Sequence, residues 1–169
     1  MDKRIFDKTF ENYNVDSSNR FAFKASQAIV DYPGNLYNPL FIWGPTGVGK
    51  THLLCAIKNS ILLKKPDSVV LMINVEELSN FIPGNIHNND LEDFKNKLRN
   101  CDFLLIDDLQ LLEGKPELEN ELAEAVLYLE FKDKQVVLTC TKNPDEIPLA
   151  RKVLCSGKAL VANIPSTIF

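Results

Sequence analysis

Eight residues near the first third of the chain, Gly44-Pro45-Thr46-Gly47-Val48-Gly49-Lys50-Thr51, satisfy G-x-x-x-x-G-K-[ST] at every fixed position. A loop of this kind needs a strand to deliver it and a helix to carry it away. Leu40-Phe41-Ile42-Trp43 before it is a short apolar run that reads as a buried strand. Thr51 to Leu63 after it carries Leu53, Leu54, Ile57, Ile61 and Leu62 at helical spacing. The glycines let the backbone curl and come close to a phosphate, and successive N–H groups then point inward. The start of the helix adds a favourable dipole for an anion. On this reading Lys50 reaches the β- and γ-phosphates of a nucleotide and Thr51 places its hydroxyl on Mg²⁺. The competing reading is a glycine-rich turn that binds nothing.

The same alternation continues along the chain. Ser17-Ser18-Asn19 can cap a helix running toward Asp31, which Pro33-Gly34 stops. Val69 to Ile73, Phe103 to Ile106, Val136 to Cys140 and Ala159 to Ile164 read as further strands. Asp90 to Arg99 and Pro116 to Phe131 read as helices. Apolar strands separated by helices predict an α/β fold, a parallel sheet covered on both faces. Ligands on such sheets bind at the carboxyl ends of the strands.

Two such ends are polar. Asp107-Asp108 follows Phe103-Leu104-Leu105-Ile106. A carboxylate on a neighbouring strand can hold Mg²⁺ through water, and this picks Asp107 as the metal residue beside Thr51. Asp108 can then polarise an attacking water. Thr139, Thr141 and Asn143 end the fourth strand. A polar residue there can touch a γ-phosphate, and Thr141 is the candidate. The plainer alternative is a solvated strand end or a cap for Pro144 to Ile147.

Composition narrows the class of partner. The 169 residues hold 19 Lys and Arg against 23 Asp and Glu, a net charge of −4. That size favours one domain over residues 1–169, with no need of staples. An acidic balance argues against binding duplex DNA by bulk charge. The four cysteines form no C-x-x-C pair, and with only two histidines they offer no zinc spacing. They fit reduced, structural thiols of a cytoplasmic protein. The first fourteen residues lack the apolar core of a signal peptide, and no apolar run approaches the roughly 20 residues that span a bilayer.

Several runs then carry a resemblance. They are Thr9-Phe10-Glu11-Asn12-Tyr13, Ser18-Asn19-Arg20-Phe21-Ala22, Tyr37-Asn38-Pro39 into the loop, Gly49-Lys50-Thr51-His52-Leu53-Leu54, Leu104-Leu105-Ile106-Asp107-Asp108-Leu109-Gln110 and Gln135-Val136-Val137-Leu138-Thr139. In that order, over about residues 8–165, they closely resemble the AAA+ core of the DnaA/Hda family of bacterial replication initiators and regulators. The resemblance implies a five-stranded sheet of order 5-1-4-3-2 that binds ATP or ADP with Mg²⁺. It adds His52 to the nucleotide-binding residues. It implies that an N-terminal segment, about residues 8–32, lies over the base, with Val15 and Asn19 near the adenine and the core at about 36–165. From the residues alone, Asn19 reads as a helix cap. The implied partners are a DnaA-like initiator or a second copy of the chain, with a sliding clamp or a helicase-side protein as further options.

The chain departs from the family pattern in places. The family's helical lid and DNA-reading domain should follow the last strand, and the sequence stops at Phe169; it is expected to be either a piece of a longer protein or a lidless minimal form. The family's arginine finger position falls on Cys155, and a thiol cannot supply a planar cationic fork. Lys152 takes that place only if the register slips. Positions where the initiator contacts single strands hold Pro83-Gly84 and Glu117. Lys95, Lys97 and Arg99 alternate with Glu92 and Asp93, as on a solvated helix face. Three readings follow: an ATP-binding regulator of initiation with slow hydrolysis, the isolated ATPase core of an initiator, or a docking module without turnover. A helicase loader of the DnaC type is a fourth.

Overall fold

A computed structural model describes residues 7–81, 88–155 and 157–166. Five strands, β1 (Leu40–Trp43), β2 (Val70–Asn74), β3 (Phe103–Asp107), β4 (Gln135–Cys140) and β5 (Leu160–Asn163), pair in the order β2-β3-β4-β1-β5. Every pairing is parallel. Read from the other edge, this is the expected order 5-1-4-3-2.

The strands are nearly continuous apolar runs because both faces are covered. Residues alternate between the faces. Phe41, Leu104, Ile106, Val136 and Leu138 pack on one side with α5 (Pro116–Phe131) and α6 (Pro148–Val153). Leu40, Ile42, Phe103, Leu105 and Val137 pack on the other with α1 (Arg20–Asp31) and α2 (Lys50–Lys64). The helices α3 (Val75–Phe81) and α4 (Asn88–Asn100) join β2 to β3, with Val75 and Leu98 in the first cluster.

The amino ends of the strands are tied by side chains. Asn38 is fully buried; its Oδ1 accepts from Val136 N at 2.9 Å and its Nδ2 donates to Lys134 O at 2.8 Å. Gln135, also fully buried, accepts from Gly34 N and donates to Tyr37 O. Two motif residues that carried the resemblance therefore secure the end of the sheet away from the phosphate loop.

The Ser17-Ser18-Asn19 cap is corrected. Asn19 precedes α1, but its side chain makes no capping bond. Its Oδ1 accepts from Asp16 N and its Nδ2 donates to Asn14 O, which closes the turn before the helix. Short elements escaped the sequence reading. Neither α3 nor α6 is long enough to show a helical period. Asn143 caps a 3-10 turn over Pro144–Glu146, close to the alternative considered for that strand end. Cys55, Cys101 and Cys140 are buried free thiols, and Cys155 is exposed. Among the described residues no helix is long and apolar enough to cross a membrane.

Candidate functional site

The phosphate loop leaves β1 at Gly44 and enters α2 at Lys50. Gly44 must be glycine because a Cβ there would stand 2.0 Å from the Ile164 carbonyl oxygen. Pro45, Thr46 and Gly47 are exposed, and Val48 is half-buried against the α1–α2 core. Gly49 has φ +99°, in the left-handed region where a side chain is costly. Lys50 is buried, and its ammonium donates to Gly44 O at 2.8 Å and Pro45 O at 2.7 Å. The lysine thus lies over its own loop, with its charge held by two carbonyls.

The acidic strand end meets this loop directly. Thr51 Oγ1 donates to Asp107 Oδ2 at 2.8 Å, across 56 positions of sequence. Thr139 Oγ1 donates a short hydrogen bond to Asp107 Oδ1. Thr139 is fully buried, and its hydroxyl oxygen also accepts from Asp108 N at 3.1 Å. Asp107 is buried, and that burial raises its carboxyl above the usual range, while the Thr139 and Thr51 hydroxyls pull it back down. Burial lowers the Lys50 ammonium, and the charges of Asp108 and Asp107 work in the other direction.

Asp108 is half-buried with φ +63° and ψ +51°, so its carboxylate turns away from the line of β3. Gln110 Nε2 donates to Asp108 Oδ1 at 2.9 Å, and Gln110 Oε1 accepts from Thr141 N at 3.0 Å. Thr141 is half-buried just past β4, as expected for a residue at that strand end. Sequence reasoning passed over Gln110 and Thr139 as site residues. The signal for Gln110 was its place two residues after Asp108, and for Thr139 a hydroxyl following the apolar run Val136-Val137-Leu138.

The N-terminal segment covers the loop from the side of α2. His52 Nε2 lies 2.9 Å from Thr9 O and 3.0 Å from Asn12 Oδ1. Asn59 Nδ2 donates to Lys8 O at 2.8 Å. Tyr13 is buried, stacks on Phe23 at 5.6 Å and meets His52 edge-on at 5.1 Å. Val15 is exposed on this segment, and Asn19 spends its amide on the turn. The contacts to the loop and α2 thus come from Lys8, Thr9, Asn12 and Tyr13, the last three from a run that carried the resemblance but was given no site role.

The remaining sequence positions lie away from the loop. Glu117 is exposed on α5. Lys95 pairs with Glu121 at 2.9 Å, which uses its charge within the fold. Cys155 is exposed just beyond α6, and Lys152 donates to Asn120 Oδ1 at 2.8 Å. Pro83-Gly84 lies outside the described residues, as does Ser156.

A divalent cation fits the Thr51–Asp107 pair by donor chemistry, since hydroxyl and carboxylate oxygens are hard ligands. Among the described residues no group of three His, Cys, Asp or Glu side chains could hold a metal by itself. A Mg²⁺ ion here would take its other ligands from water and phosphate oxygens.

A parallel sheet of order 5-1-4-3-2, with a phosphate loop on β1 and acids at the end of β3, defines a P-loop protein of the AAA+ class. The family described as the bacterial DnaA ATPase domain matches residues 5–157, and the chain belongs to that family. The crystal structure of domain III of the Thermotoga maritima replication initiation protein DnaA is 36% identical, with a TM-score of 0.84 over 95% of this chain and 68% of that one. A replication initiator DnaA bound to AMPPCP and single-stranded DNA is 28% identical, with a TM-score of 0.83 over 94% of this chain and 50% of that one. DnaI is 18% identical at a TM-score of 0.80, over 97% of this chain and 94% of that one, a likeness of fold alone. The chain spans about half the length of the chains in the AMPPCP-bound initiator structure and in a crystal structure of a DNA replication initiation factor.

Proposed function

We propose that this chain is a nucleotide switch of replication initiation or its regulation: residues 1–169 act as one domain that binds ATP or ADP with Mg²⁺ and hydrolyses ATP slowly. The observation that carries this reading is the 2.8 Å bond from Thr51 to Asp107, which joins the phosphate loop to the acidic strand end. Nothing in the packing of a sheet requires a buried carboxylate between two hydroxyls, and burying one costs free energy.

In this reading the N–H groups of Gly44 to Lys50 cradle the phosphates, and Lys50 leaves its loop carbonyls for the β- and γ-oxygens. Thr51 and Asp107 hold Mg²⁺, which when bound neutralises phosphate charge. Asp108 orients and accepts a proton from the attacking water. Thr141 reads the γ-phosphate from β4, and His52, Val15 and Asn19 lie on the base side.

The partner is a DnaA-type initiator or a second copy of this chain. An initiator-type role is favoured over a loader-type role by 36% identity to an initiator domain against 18% to the DnaC helicase loader. The place of action is the cytoplasm, where the chromosome is. Cys155 stands at the finger position, so a second copy of this chain offers no arginine there, and faster turnover depends on an arginine that a DnaA-type initiator supplies.

Calorimetric titration of the purified chain with ATP and Mg²⁺ tests the reading. Saturable one-to-one binding is expected. Absence of binding by ATP and by ADP alike overturns it in favour of a docking module.

A further inference from the structure

Beyond the end of the β3–β4 ladder, the two strands run on without pairing to each other, although Asp107 still pairs with Asn74 of β2, and Thr139 and Cys140 with Ile42 and Trp43 of β1. The last residues paired across that ladder are Ile106 and Leu138. Past them lie Asp107 and Asp108 on one side and Thr139 to Thr141 on the other. Side chains join these segments. The Thr139 hydroxyl accepts from Asp108 N at 3.1 Å, and Gln110 spans the gap with both ends of one amide.

We infer that Gln110 is a positioning residue: its amide ties the Asp108 carboxylate to the backbone at Thr141. It acts through Asp108 and touches no substrate. The inference rests on the reading of Asp108 as the residue that handles the attacking water. It adds the element that sets the direction of that carboxylate.

Three features support it. First, Gln110 is itself fixed, since it sits in a 3-10 turn between Leu109 and Leu112, which are 0% and 1% exposed. Second, Asp108 has left-handed backbone angles, a region uncommon outside glycine, and its surroundings constrain it there. The Gln110 and Thr139 bonds are two such constraints, one on the carboxylate and one on the N–H. Third, only glutamine has the shape required. Asparagine is one methylene shorter, and glutamate keeps the acceptor toward Thr141 N but loses the donor toward Asp108. A displacement at Thr141 therefore reaches the Asp108 carboxylate through one rigid planar group. A phosphate read at the end of β4 and the acid at the end of β3 are set together.

The test uses the whole chain and the variants Gln110→Leu and Gln110→Glu. Without nucleotide, amide hydrogen exchange at Thr141 is expected to quicken about tenfold in the leucine variant and to stay slow in the glutamate variant, in line with one lost hydrogen bond. Both variants are expected to slow single-turnover hydrolysis about tenfold, with ATP affinity within about twofold of the parent. In an Asp108→Asn background Gln110→Leu is expected to slow hydrolysis no further, because a residue acting only through Asp108 has nothing left to place. Equal slowing in both backgrounds overturns the inference, and so does a loss of ATP affinity that parallels the loss of rate. A crystal structure of Gln110→Leu decides the matter even where the parent hydrolyses nothing. An Asp108 carboxylate left in its present direction overturns the inference, and a rotated one supports it. Failure of the parent to bind ATP strikes instead at the nucleotide reading.

Discussion

Tyr13 and Gly49 are fitted to each other. A Cβ on Gly49 would stand 2.9 Å from both the ring edge and the hydroxyl of Tyr13. The N-terminal segment thus rests on the glycine that precedes the phosphate-loop lysine. Gly49→Ala would add a methyl group at φ +99° and press it into an aromatic ring. The expected loss is about 2 kcal/mol or more of folding stability, read by urea unfolding. Tyr13→Ala in the same chain should relieve the steric part of that cost and leave the backbone part.

Lys50→Ala should reduce ATP affinity at least about a hundredfold, because Lys50 is the one side-chain cation of the loop. Its present bonds go to Gly44 O and Pro45 O, so the fold should lose only about 1–2 kcal/mol. Calorimetry and a thermal melt on the same sample separate the two effects.

Asp108→Asn should bind ATP as the parent does and hydrolyse it about a hundredfold more slowly in a single turnover. A rate equal to the parent's would remove this carboxylate from the chemistry.

Burial raises the Tyr13 phenol to about 12, with the Asp16 charge adding to it. The folded chain therefore holds that proton more tightly than the unfolded chain does. The stabilisation is complete below the ordinary phenol range near 10 and is lost as pH rises through about 12. Tyr13→Phe should flatten the alkaline limb of stability against pH, as followed by urea midpoints between pH 9 and pH 12.

Thiol chemistry should divide the cysteines one to three. Cys155 is exposed, whereas Cys55, Cys101 and Cys140 are buried, and burial raises the Cys101 thiol to about 11. An aromatic disulfide reagent at pH 8 should modify one thiol quickly in the native chain and the other three only on unfolding. Cys155→Ser should abolish the fast phase.

The fold was largely legible because its strands are apolar runs and the segments between them, α1 and α4 most clearly, carry apolar residues at helical spacing. Each expected strand lies within a residue or so of its place, and the sheet order follows the family likeness. What stayed hidden was short or relational. The six residues of α6 cannot show a period. Asn19 looked like a cap because Asn is common there, but Asp16 N and Asn14 O claimed its amide first. The Thr51–Asp107 contact was implied by motif chemistry, whereas Thr139 and Gln110 became visible only when the ends of β3 and β4 were placed side by side. Tyr13 read as one more aromatic of a motif until Gly49 was seen beneath it.

The docking of the segment before α1 gives the chain a mechanical property. Backbone oxygens of Lys8 and Thr9 are anchored on Asn59 and His52 of α2, and the ring of Tyr13 bears on Gly49. A tug on the polypeptide ahead of Lys8 arrives at the nucleotide loop before it reaches any strand. The load path is a few residues long and ends on α2 and on the glycine that precedes it.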